Sequence, residues 1–154
     1  MKRYIGGSWL LILLGAISCV NPVNSDGFNS MSCTIDDASF EADIGVMVSF
    51  NDGLFTITGS GSQRQQCQLI VDECNKVGTY VISQESGEKN TARWSDGMDA
   101  KQDFYLTSEG KGVGLVVITS ISSEEVTGTF SFDARNSEGD RVQVQNGVFT
   151  ASLD

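Results

Sequence analysis

Val126-Thr127-Gly128-Thr129-Phe130-Ser131-Phe132-Asp133-Ala134 alternates apolar and polar side chains almost without a break. Successive side chains of an extended chain point to opposite faces. Val126, Phe130 and Phe132 therefore share one face, and Thr127, Thr129, Ser131 and Asp133 share the other. This pattern predicts an antiparallel strand with one buried and one wet face. Downstream, Val142 and Val144 hold even positions, whereas Phe149, Ala151 and Leu153 hold odd ones. The parity switches at Asn146-Gly147. A β-bulge there would keep both apolar sets on one core, and Gly147 is expected to take the positive φ. Upstream, Val113 to Ser120 is nearly all apolar, which predicts a strand covered on both faces.

The same grammar runs back through the chain. From Ala38 to Phe50 the even positions Ala38, Phe40, Ala42, Ile44, Val46, Val48 and Phe50 are apolar, which predicts one long half-buried strand. Asn51-Asp52-Gly53 predicts a hairpin turn into the strand from Leu54 to Gly59. Further strands are expected at Met31 to Ile35, Arg64 to Val71, Gly78 to Ile82, Ala92 to Ser95 and Gln102 to Thr107. Ser83 to Asn90 reads as a polar loop. No segment of the body carries a helical period. About ten strands joined by short turns predict an all-β domain, an antiparallel meander closed into a lipocalin-like barrel or flattened into a β-sandwich.

Composition agrees with strands and narrows the function. Gly is abundant, Pro22 is the only proline, and 40% of the chain is apolar. The net charge is −10. It becomes −12 if Lys2 and Arg3 are lost with a signal segment, leaving eight of the ten basic residues against 20 acidic ones. Such a chain repels phosphate backbones and anionic lipid heads, so no nucleic-acid partner is expected. There is no histidine, which excludes His-based triads, His metal sites and His proton shuttles.

The N-terminus predicts an address. Lys2 and Arg3 precede an apolar stretch centred on Trp9-Leu10-Leu11-Ile12-Leu13-Leu14, too short to span a bilayer but suited to a signal peptide. Ala16-Ile17-Ser18-Cys19 resembles a bacterial lipobox, with Ala16 where Leu is commonest. It also fits the small-x-small rule of ordinary secretory cleavage. Both readings cut at the same bond, and a Cys directly after the cut favours lipid on Cys19. The expected organisation is a signal peptide over residues 1–18, a lipidated Cys19 with its tether over 19–30, and one domain over 31–154. A flexible linker of about ten residues spans roughly 15–20 Å on average. The expected location is the cell envelope, with the membrane as a partner only through the lipid.

Several phrases carry a family resemblance: Phe40-Glu41-Ala42, Gly53-Leu54-Phe55-Thr56-Ile57-Thr58-Gly59, Gly78-Thr79-Tyr80, Val117-Ile118-Thr119-Ser120, Gly128-Thr129-Phe130-Ser131-Phe132 and Asn146-Gly147-Val148-Phe149-Thr150-Ala151. From about Ser32 to Ala151 the chain resembles a family of small uncharacterised lipoproteins of Bacteroidota. The resemblance implies an all-β, lipocalin-like or sandwich domain. It implies no activity and no catalytic residues, and the three body cysteines depart from its pattern.

Those cysteines are Cys33, Cys67 and Cys74. In an oxidising compartment they allow one disulfide, with Cys67–Cys74 and Cys33–Cys74 both open. Trp94 is a candidate stacking platform for a flat ligand, weighed against a place in the core. The acidic turns Asn51-Asp52-Gly53, Asp96-Gly97-Met98-Asp99 and Glu138-Gly139-Asp140 offer oxygen ligands, but none has full EF-hand spacing. Asp36-Asp37 and Glu124-Glu125 pair carboxylates without a catalytic spacing. No metal, cofactor or enzyme activity is expected. Two functions stay open: binding of a small ligand inside a barrel, or recognition of another envelope protein by a filled domain. Interior volume separates them.

Overall fold

A computed structural model describes residues 29–82, 89–97, 104–108 and 110–153. Every regular element among them is a strand, and every pairing is antiparallel. The strands are β1 (Ser30–Ile35), β2 (Ala38–Glu41), β3 (Gly45–Asn51), β4 (Leu54–Ser60), β5 (Gln66–Val71), β6 (Gly78–Ile82), β7 (Thr91–Ser95), β8 (Tyr105–Leu106), β9 (Val113–Ile121), β10 (Glu125–Arg135) and β11 (Arg141–Ser152). They follow the order β2-β1-β11-β10-β8-β7-β5-β4-β3, with β9 also on β10 and β6 on β9. The sheet forks at β10, whose Val126 to Asp133 pair with β9 while Arg135 pairs with Leu106 of β8. It is thus an all-β antiparallel fold, branched rather than a plain meander.

The sheet curls into a half-barrel, bringing its two ends face to face. The Phe55 ring of β4 lies 5.6 Å from the Phe149 ring of β11. The Phe40 ring of β2 stands edge-on to Trp94 of β7 at 5.0 Å. Val126, Phe130, Phe132 and Ala134 point inward as the alternation predicts. Fully burying such a side chain contributes about 1.5–3 kcal/mol.

The bulge in β11 exists, and both neighbouring strands register it. Val144 to Gly147 of β11 oppose Phe132 to Phe130 of β10, three steps against two. Val148 to Gln145 oppose Ser32 to Thr34 of β1 in the same ratio. The residue at positive φ is Asn146, at 52°, and not Gly147 as expected. Asparagine tolerates the left-handed region better than most residues, which suffices at this exposed position. Gly147 is needed for another reason. A Cβ there would lie 2.6 Å from three atoms of the Phe130 ring, which rests on the glycine directly across the strand pair.

Three other expectations change. The stretch from Ala38 to Phe50 is not one strand. β2 ends at Glu41 on the edge of β1, and β3 begins at Gly45 on β4 at the other end of the sheet path. The chain must leave the pleat between them: the Asp43 N–H turns back to the Glu41 carbonyl, and its carboxylate accepts the Ser62 N–H at 2.7 Å. Ile44, expected inside, is 70% exposed. The strand expected from Gln102 shrinks to Tyr105–Leu106, with residues 98–103 outside those described. Most consequentially, β9 is buried on one face only. Val116 and Ile118 are inside, whereas Val113 and Leu115 are 44% and 43% exposed.

Candidate functional site

The open face of β9 continues onto its neighbours. Val81 of β6 lies directly across from Leu115, Leu115 across from Ser131, Val117 across from Thr129, and Thr129 across from Val148 of β11. Val81 and Val148 are 52% and 49% exposed. Alternation drives this arrangement: turning Val116, Ile118, Phe130 and Phe149 to the core turns Val113, Leu115 and Val148 outward. A shallow groove of about 590 Å³ runs over this face, between Leu115 and Val117 on one side and Asn146 and Val148 on the other. No residue lining it is charged. At one end, Asp133 is neutralised by Arg141 at 2.9 Å. The groove is lined by apolar Leu115, Val117, Phe130 and Val148 together with uncharged polar Thr129, Ser131, Gln145 and Asn146.

Trp94 lies in the core rather than on a platform. It is 3% exposed, packed against Phe40, and only borders a groove of about 250 Å³ with Ile35, Gln65 and Tyr105. The sequence-level candidates for a metal are scattered. Asp52, at φ 50°, and Gly53, at φ 84°, form the two-residue turn between β3 and β4. In the β10–β11 turn, Asn136 accepts the N–H groups of Glu138 and Asp140 and donates to the Asp140 carboxylate at 3.2 Å. Met98 and Asp99 lie outside the described residues. Among the described residues no three His, Cys, Asp or Glu side chains converge on one point. Asp36 and Asp37, both at positive φ, make the β1–β2 turn, and the Asp36 carboxylate accepts the Gln143 N–H at 2.9 Å. Glu124 caps the turn into β10, its N–H held by Ser122.

The three cysteines are buried and unbonded. Both pairings considered from the sequence include Cys74. Cys74 sits beyond the end of β5, its N–H bonded to Gly53 at the β3–β4 turn. Burial pushes its thiol up, opposed by a hydrogen bond with Tyr80. Cys33 instead meets Cys67 across the core. Hydrogen bonding with Cys33, then burial, then the charge of Cys33 hold the Cys67 thiol well above its ordinary value. Thiols so placed are poor nucleophiles. The signal for this pair was the inward parity of both residues, Cys33 beside Met31 and Ile35 and Cys67 beside Leu69 and Val71. Cys19 lies outside the described residues.

A family profile described as a domain of unknown function (DUF6252) matches residues 29–151. The chain belongs to that family. The DUF6252 match covers the strands from β1 to within one residue of the end of β11. No curated protein and no solved structure matches the chain.

Proposed function

We propose that this protein is a lipid-anchored protein of the cell envelope, held through Cys19, that recognises another envelope protein through the outer face of β6, β9, β10 and β11, around the groove whose lining carries no charge. The carrying observation is the strip of Val81, Val113, Leu115 and Val148, left open on a chain of net charge −10. Such a strip becomes favourable only when covered, at about 25 cal/mol for each Å² of apolar surface removed from water. The anchor rests on the n-region, the apolar core and Ala16-Ile17-Ser18-Cys19. Among the described residues no helix is long and apolar enough to cross a membrane. This reading needs no enzyme activity, no cofactor and no nucleic acid.

The groove over β9 has the volume of a ligand pocket, about 590 Å³, but lies open on the sheet surface rather than in the interior, and the small-ligand reading otherwise turns to the groove beside Trp94. At about 250 Å³ it falls below the usual 300–1,000 Å³ of ligand pockets. The interior between the sheet ends is taken up by Phe55, Phe149, Phe130 and Trp94.

A photo-crosslinking residue at position 115, introduced in the native host, tests the proposal. A discrete protein adduct is expected there and not from position 47 on β3, where Met47 is also exposed. A Val148→Glu change should abolish the adduct. If position 115 gives none, while the purified protein carries a small molecule in native mass spectrometry, the carrier reading replaces this one.

A further inference from the structure

We propose that Cys33 and Cys67 form a disulfide across the core, fastening β1 to β5 and closing the half-barrel from within. Two ladder registers place them. Cys33 of β1 pairs with Phe40 of β2, and Cys67 of β5 pairs with Trp94 of β7. Phe40 and Trp94 touch ring to ring at 5.0 Å, so the two pairs face each other across the interior. Both cysteines point inward, at 6% and 0% exposed.

Packed sheets ordinarily stand about 10 Å apart, whereas a disulfide needs Cα atoms about 4.4–6.8 Å apart. Gly59 relieves that conflict. It lies directly across from Cys67 on β4, and a Cβ on it would come within 2.9 Å of the Met31 sulfur and the Ala42 Cβ. The missing side chain lets β1 settle onto β4 and β5 at the level of the two thiols. Cys74 has no such approach. Val71 lies four residue steps beyond Cys67 along β5, about 13 Å of extended chain, before the turn carries Cys74 to Gly53.

The bond forms by exchange with a small or protein disulfide, such as oxidised glutathione. One S–S bond forms in the protein and one breaks in the oxidant. Two electrons pass from the Cys33 and Cys67 sulfurs, and the two thiol protons end on the two released thiols. Since both groups are buried and Cys67 is a reluctant thiolate, the exchange belongs to folding, before the sheet ends meet.

The test uses the full chain carrying Cys19→Ser, unfolded and refolded with excess oxidised glutathione. Thiols are then alkylated in denaturant and the peptides mapped by mass spectrometry. A Cys33–Cys67 link with Cys74 alkylated is expected, together with a higher denaturation midpoint than the reduced protein. Cys74→Ala should keep the link. Cys67→Ala should leave Cys33 and Cys74 as thiols, and if that variant does not fold, the Cys74→Ala map still decides. Three alkylated thiols in the refolded protein, or any bond that includes Cys74, overturns the proposal.

Discussion

Asn146 and Gly147 divide a task that the sequence assigns to one residue. Asn146 supplies the positive φ of the bulge, and Gly147 supplies room for the Phe130 ring. The two are separable. Gly147→Ala should destabilise the domain by about 1–3 kcal/mol through overpacking. Asn146→Gly should be nearly neutral, while Asn146→Val should cost about 1–3 kcal/mol through strain. Chemical denaturation of the three variants checks this, and a neutral Gly147→Ala would reject the ring contact. Thr107 shows a similar economy. Its hydroxyl accepts the Ala92 N–H at 2.9 Å and donates to the Ala92 carbonyl at 3.1 Å, completely buried. Thr107→Val keeps the shape but orphans that N–H, so a loss of about 1–3 kcal/mol is expected in the same assay. Asp72 and Lys89 pair at 2.7 Å, and Lys89 holds the Asp72 carboxyl below its ordinary range. Because the folded value lies below the unfolded one, the small contribution is complete above about pH 4 and fades as pH falls through the folded value. Lys89 is raised by the same bond, so its share fades only as pH rises through its own folded value. Lys89→Ala should flatten the acid limb of the stability profile, and an unchanged limb would show the pair to be inert.

At the scale of a strand, β9 shows where reading by pattern runs out. A run of apolar residues says that both faces are greasy, and a neighbour covering the second face is the ordinary consequence. Here only Val116 and Ile118 are covered. Two substitutions separate the faces. Leu115→Thr should change stability by no more than about 0.5 kcal/mol, as surface changes do. Ile118→Ala should cost about 2–5 kcal/mol, as truncations in a packed core do. A large loss from Leu115→Thr in denaturation would mean that the outer face is covered in the isolated protein, and would remove the basis for a partner there. β2 and β3 teach the opposite lesson. The even positions stay apolar from Ala38 to Phe50, yet the chain between the two strands crosses from one end of the sheet to the other. Parity describes faces, and it carries no information about which sheet edge a strand joins. β10 was legible in full because one strand partner on each side and one core face agree with its alternation along most of its length.

For the whole molecule, the half-barrel is joined across its interior by aromatic packing and by polar groups that bond from one end of the sheet to the other. Asn29 is one such group: its side chain accepts the Ser152 N–H of β11 at 2.6 Å and reaches the Val46 carbonyl of β3 at 3.4 Å. The proposed anchor acts at this scale as well. Cys19→Ala should move the protein from the membrane fraction to the soluble fraction, or stall it as an uncleaved precursor. Fractionation and migration identical to the parent would sink the lipoprotein reading. The sequence by itself determined the all-β class, the inward set of β10, the hairpin at Asp52-Gly53 and the existence of the bulge, because each follows from a local period or from the steric demands of a few adjacent residues. Only the tertiary structure decided the fork at β10, the break between β2 and β3, the exposed strip of Val81, Leu115 and Val148, and the meeting of Cys33 with Cys67. Those depend on which strands become neighbours across the fold, and that is settled by the shape of the whole core rather than by any residue's own surroundings in the chain.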